Sequence, residues 1–218
     1  MAMSNAPLSP PSKTSSARKP SWLRRPLPQG PAFSRTKGLL RDLRINTVCD
    51  GANCPNRMEC YDKGVAAFLI LGRVCTRNCA FCDIPPGLPE PVDGQEPDRL
   101  AQAAARLELG HVVVTSVSRD DLPDGGAGHF AAVLRALRRD LPGATLEVLI
   151  PDFGGDPDSL AAVLNARPDV LNHNLETVPA LYEAIRPQAV YARSLELLAR
   201  TKQAAPAPQM TPPVAKAP

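Results

Sequence analysis

From residue 65 onward the chain alternates short apolar runs with helix-periodic segments, and this alternation limits its fold more than any other feature. Residues 65–71 (VAAFLIL) form an apolar run of strand length closed by Gly72. Residues 96–109 have Pro97 in the first turn, apolar positions at helical spacing and Gly110 as a stop, which predicts a helix. The pattern predicts strands over 111–117, 145–150 and 170–172, and helices over 128–139, 159–166, 179–185 and 192–202. Nearly continuous apolar strands separated by helices belong to a parallel sheet covered by those helices. Four such units predict an α/β fold: a partial parallel β/α barrel, incomplete at its C-terminal end. Polar runs follow the strands (SRDDLPDGG, PDFGGDP, NHNLET), on the edge where barrels of this type carry function.

The two ends differ in composition. Seven of the 25 prolines lie in residues 1–31 and five in 203–218. Residues 1–41 carry eight basic side chains and no acid, while the remainder is net negative. This predicts a disordered leader over 1–20, an N-terminal arm with a short helix near 36–43 over 21–64, the partial barrel over 65–202 and a disordered Pro/Ala-rich tail over 203–218. Trp22 and Leu23 are available to pack in the arm. The acid-free start has the composition of a transit peptide or of a contact for an acidic partner, but it lacks the apolar stretch of a secretion signal. No apolar run reaches the length of a membrane-spanning helix, so no membrane association is expected.

All six cysteines fall between residues 49 and 82, in two trios. Cys49, Cys54 and Cys60 read C-x4-C-x5-C, and Cys75, Cys79 and Cys82 read C-x3-C-x2-C. Disulfides fit poorly without a secretory signal. Structural zinc favours four ligands in paired C-x2-C arrangements, and each trio is one ligand short. Iron–sulfur clusters fit best: three thiolates hold three irons of a cubane, and the fourth iron stays open to chelate a small molecule through an amine and a carboxylate. The second trio directly follows the first predicted strand, on the functional edge.

The run CTRNCAFC resembles the signature of the radical S-adenosylmethionine (SAM) enzymes. INTVCDGANCPNRMEC, FLILGRVCTRNCAFCDI, TSVSRDDLPDGGAGHF, IPDFGG, LNHNLETVPALY and RPQAVYARSLELL together resemble the lipoyl synthase family, from about Lys19 to Lys202. The resemblance implies two 4Fe-4S clusters. One, on Cys75, Cys79 and Cys82, binds SAM and generates a 5′-deoxyadenosyl radical. The other, on Cys49, Cys54 and Cys60, is the auxiliary sulfur donor. The implied reaction inserts two sulfur atoms, at carbons 6 and 8 of a protein-bound octanoyl-lysine, to form lipoyl-lysine. Implied partners are an octanoylated lipoyl carrier domain or glycine cleavage H protein, and an electron donor such as flavodoxin or ferredoxin. No nucleic acid is implied, and the expected location is a bacterial cytoplasm, since only residues 1–18 remain as leader. A biotin synthase-like reading is disfavoured by the first trio.

By position, Asn172, Asn174 and Glu176 would hydrogen-bond the SAM ribose, against a plain role in turn and helix capping. Asp121, Gly125 and Gly126, with Asp124, line the loop after the second strand as further cofactor-binding candidates, though a turn accounts for them almost equally well. His173 reads as a structural histidine, and Arg193 is a candidate partner for a carboxylate. The family continues with further strands and an Arg-Ser-Ser-Tyr-type motif whose serine completes the auxiliary cluster. Here no serine follows Ser194. The expectation is therefore a truncated member with impaired sulfur insertion. The alternative is an iron–sulfur protein that binds clusters and SAM without completing turnover.

Overall fold

The computed structural model of the chain describes Pro20 and residues 31–204. The expected leader up to residue 19, the packing of Trp22 and Leu23, and the tail from residue 205 lie outside the described residues. Described elements begin with helix α1 (Ala32–Asp42), a two-residue strand β1 (Asn46–Thr47) and two short helices, α2 (Val48–Gly51) and α3 (Arg57–Asp62). The alternating part follows: β2 (Ala67–Ile70), α4 (Glu96–Arg106), β3 (His111–Ser116), α5 (Ala127–Asp140), β4 (Thr145–Leu149), α6 (Pro157–Asn165) and β5 (Val170–Asn172). A 3-10 turn (Pro179–Leu181), α7 (Tyr182–Ile185) and α8 (Tyr191–Ala204) complete it.

The sheet order is β1-β2-β3-β4-β5. Strands β2 to β5 pair in parallel in chain order, and the sheet does not close on itself among the described residues. This is the expected α/β architecture of a partial barrel. Strand β1 is a correction: it adds an antiparallel edge, Asn46 opposite Leu69 and Thr47 opposite Phe68. Two residues are too few for any alternation to announce a strand. The expected helix over 179–185 also divides, into the 3-10 turn and α7.

Register separates the two faces of the sheet. Phe68, Val114, Val148 and Leu171 stand side by side across the four parallel strands, and the first three are completely or almost completely buried. Helices α4, α5 and α6 pack beside one another over this face, with Leu100, Phe130, Val133, Leu134, Leu137 and Val163 in the core. Each such side chain contributes about 1.5–3 kcal/mol on burial. The opposite face, the interior side of a barrel, carries Leu69, Thr115, Leu149 and Asn172 in one row, and Ala67, Val113, Glu147 and Val170 in the row before it.

Helix starts follow from local chemistry. Thr47 caps α2 by accepting from the Asp50 amide, and the Asp156 carboxylate accepts from the amides of Asp158 and Ser159 before Pro157 opens α6. Helix α4 places Glu96 and Asp98 in its first turn and Arg106 in its last, matching the helix dipole.

Candidate functional site

The second trio lies in the loop that leaves the C-terminal end of β2. Leu71 and Gly72 turn the chain there with φ of 67° and 104°. The loop is tied to the segments after β3 and β4 and to the end of α7. Cys75 Sγ accepts from the amides of Arg77 (3.4 Å) and Ser118 (3.3 Å). The Thr76 hydroxyl donates to the Ser118 carbonyl at 3.0 Å, and the Ala80 amide donates to the Ile185 carbonyl at 2.9 Å. Arg77 turns inward. Its guanidinium donates twice to Asp120 (2.7 Å each) and once to Asp152 (2.6 Å). Burial works against the charge on Arg77, but the two carboxylates more than compensate and strengthen it. Burial likewise opposes ionisation of Asp152, yet Arg77, the Gly154 amide and Arg193 hold its carboxyl below the usual range. Burial pushes the Cys79 thiol up, and the adjacent Arg186 guanidinium works in the other direction.

The first trio is carried by α2, the following turn and α3. Cys49 is buried, whereas Cys54 and Cys60 are partly exposed. Burial raises the Cys49 thiol; a backbone hydrogen bond from Ala67 offsets part of this, and repulsion from Cys54 and Cys60 adds to it. Buried Tyr61 organises the segment: its hydroxyl donates to Asp50 (2.7 Å) and lies 2.6 Å from the Thr47 hydroxyl, while Arg57 pairs with Asp50 at 2.8 Å. The two cysteine segments meet. Asn53 donates to Asp83 at 3.1 Å, and Gly51 is packed so closely that a Cβ there would stand 2.9 Å from Ile84 Cδ1.

Among the described residues, no three Cys, His, Asp or Glu side chains converge on one point as ligands of a single metal ion. A cubane spreads its thiolates over separate iron corners. Cys75 and Cys82 lie near enough to Cys79, and Cys54 and Cys60 near enough to Cys49, to oppose ionisation of those two thiols. The soft donor set fits iron–sulfur chemistry.

The sequence family described as the Radical SAM superfamily matches residues 69–207. The chain belongs to that superfamily. The N-terminal domain of lipoyl synthase of the Radical SAM family matches residues 8–54. Lipoyl synthase from Oleidesulfovibrio alaskensis is 60% identical over 187 residues, covering 86% of this chain and 64% of the relative. Lipoyl synthase from Nitratidesulfovibrio vulgaris is 59% identical over 196 residues, covering 90% and 66%. That of Rubrobacter xylanophilus is 52% identical over 188 residues, covering 86% and 59%. The chain thus spans somewhat under two thirds of the length of these relatives. Membership of the superfamily implies SAM and 4Fe-4S clusters as cofactors.

The remaining site residues anticipated from the lipoyl synthase resemblance fall into two groups. Asn174 donates to Glu176 at 2.8 Å on the exposed loop after β5, and Glu176 has a φ of 65°. Asn172 stands apart, on the inner face, donating to Glu147 at 2.7 Å; Glu147 also meets His111 Nε2 at 2.8 Å. On the loop after β3, Asp121 makes a two-point ion pair with Arg119, whose guanidinium also reaches the Leu71 carbonyl. Gly125 and Gly126 have positive φ, and Cβ atoms there would press on Phe153 and Leu71. The partners of Asp121, Gly125 and Gly126 therefore lie within the protein. Asp124 caps the start of α5 through the amides of Gly126 and Gly128. His173 is buried, with Nδ1 at 2.8 Å from the Ile150 carbonyl and Nε2 at 2.8 Å from the Ser194 hydroxyl. Both ring nitrogens are satisfied by a neutral ring that donates from Nδ1 and accepts at Nε2. Arg193 meets Asp152 at 3.3 Å.

Arg77, Asp152 and Glu147 were not anticipated as site residues. Glu147 left a signal, being the single charge within the otherwise apolar run TLEVLI. Arg77 gave none, because an arginine in a polar loop reads as solvated. No helix among the described residues is long and apolar enough to cross a membrane.

Proposed function

We propose that this chain is built for the sulfur insertion of the lipoyl synthases it resembles: SAM-dependent conversion of a protein-bound octanoyl-lysine to lipoyl-lysine by addition of two sulfur atoms. The observation that carries this reading is the pair of cysteine trios on adjoining segments, one at the functional edge of the parallel sheet and one on the N-terminal arm, linked by Asn53–Asp83 and by Gly51 against Ile84. With clusters bound, Cys75, Cys79 and Cys82 would hold the one that supplies an electron to SAM, and Cys49, Cys54 and Cys60 the one that supplies sulfur. An unactivated methylene offers nothing to acid–base or nucleophilic groups, so the protein's part is to bind, orient and shield.

This chain's residues suit those tasks. Arg77, anchored by Asp120 and Asp152, keeps the second cysteine loop in one conformation. The Arg77 and Ser118 amides hydrogen-bond the Cys75 sulfur and hold it in place. Asn172, Asn174 and Glu176, near the C-terminal end of β5, offer amide and carboxylate groups to a ribose, and Asp121, Gly125 and Gly126 shape the neighbouring loop. The protein substrate in this reading is an octanoylated lipoyl carrier domain or glycine cleavage H protein, the electron donor a flavodoxin or ferredoxin, and the location the bacterial cytoplasm. The test is anaerobic reconstitution with iron and sulfide, followed by reductant, SAM and an octanoyl-lysine peptide, read by mass spectrometry. Production of 5′-deoxyadenosine with a gain of two sulfurs on the peptide supports the proposal. Stoichiometric zinc in place of iron and sulfide rejects it.

A further inference from the structure

Between α1, β1 and the two cysteine segments lies a cavity of about 750 Å³, large enough for a substantial ligand or an inserted peptide segment. Its floor is apolar, built from Leu40, Ile45, Leu69, Val74 and Ile84. Its rim is basic: Lys37, Arg41, Arg44, Arg57 and Arg73 against a single acid, Asp50. Asp50 is already committed to Arg57 and to the Tyr61 hydroxyl, and Arg41 to Asp42. Arg44 and Arg73 are exposed and have no ion-pair partner among the described residues. Arg44 also sits at a φ of 54°, unusual for a side chain of its size, at the turn that delivers it to the rim.

Surplus positive charge around an apolar floor is complementary to carboxylates flanking an aliphatic chain. We infer that this cavity docks an acidic polypeptide segment, its carboxylates on Arg44 and Arg73 and an aliphatic side chain on Leu40, Ile45 and Leu69. The inference rests on the octanoyl-lysine reading for the identity of the aliphatic chain, but not for the charge of the partner. The cavity wall includes Asp50, Gly51 and Arg57 from the first cysteine segment and Arg73, Val74 and Ile84 from the second. A segment held there would bring its aliphatic side chain to the place where both converge.

The test is titration calorimetry of the reconstituted full chain with four peptides: octanoyl-lysine flanked by Glu and Asp, the same peptide flanked by Gln and Asn, and both without the octanoyl group. At low salt the acidic octanoyl peptide should bind roughly tenfold more tightly than its neutral counterpart, the sum of two ion pairs at a partly exposed rim. High salt should remove the difference. The Arg44→Gln/Arg73→Gln variant, checked for an unchanged melting temperature, should remove it as well. Equal binding of acidic and neutral peptides by the unaltered chain at low salt overturns the inference, whatever the variant does. So does a charge preference that survives in a folded double variant, or displacement of the acidic peptide by a short RNA of equal charge at lower concentration. Binding that needs acidic flanks but ignores the octanoyl group supports the inference while counting against the octanoyl-lysine reading. Binding that needs the octanoyl group but ignores the flanks does the reverse.

Discussion

Arg77 donates to Asp152 at 2.6 Å, joining the loop between the second-trio cysteines to the turn after β4, with the two side chains only 5% and 1% exposed. The same arginine reaches the half-exposed Asp120 after β3. One guanidinium thus fixes the cysteine loop to two successive strand ends, and Arg193 from α8 leans on the same Asp152. The cysteine loop is held by buried charge rather than by packing alone.

Asp152→Asn should therefore be costly. It leaves a buried guanidinium short of one counter-charge, which typically costs about 3 kcal/mol. Asp120→Asn removes a partner in contact with water and should cost under about 1 kcal/mol. Urea unfolding of the two variants checks this; equal losses would contradict the anchoring role of Asp152.

Replacing Cys75, Cys79 and Cys82 by Ala should abolish SAM cleavage while leaving about half of the iron, bound at the first trio. Replacing Cys49, Cys54 and Cys60 should leave SAM cleavage and abolish sulfur insertion. Iron and sulfide content, measured beside 5′-deoxyadenosine formation, distinguishes the two. Loss of all iron from either triple variant would mean one shared site.

Glu176→Ala should raise the SAM dissociation constant by about tenfold, the loss of a hydrogen bond to a charged group of ~1.5 kcal/mol. Equilibrium dialysis with reconstituted protein measures it. Unchanged affinity with a lower melting temperature would assign Glu176 to the loop alone, through its bond from Asn174.

His173 introduces an acid-side stability limit. Burial lowers its basicity, only partly countered by its bond to the Ile150 carbonyl, so the folded state keeps the ring neutral. Its folded pKa lies below its unfolded value of about 6.5. The contribution is fully present above that value and is lost as pH falls through the folded pKa. Urea midpoints should fall on acidification below pH ~6.5. His173→Asn, which retains a donor for Ile150 and cannot titrate, should flatten that decline. The depressed carboxyls of Asp152 and Asp169 act only at lower pH.

Gly126→Ala should cost about 2 kcal/mol or more, because φ is 91° and the added Cβ would collide with Leu71 Cδ1. Gly154→Ala, also at positive φ but with open space around it, should cost only about 1 kcal/mol. Thermal unfolding of both, side by side, tests whether Gly126 serves close packing.

The sequence by itself determined the periodic elements and the chemistry. Runs such as HVVVTS and helices opened by Pro97 or Asp156 carry their own local instructions, since propensity and capping act over a few residues. The grouping of six thiols into two spaced trios was equally legible, because ligand spacing is written along the chain. Tertiary structure alone decided what depends on contacts between distant segments. Strand β1 exists only because β2 offers it hydrogen-bonding partners. Asn172 found Glu147 from 25 residues away, and Arg77 found Asp152 from 75 residues away. In sequence each of these is one polar residue among many. A polar side chain's role is set by whatever partner shares its low-dielectric surroundings, and no local pattern encodes that.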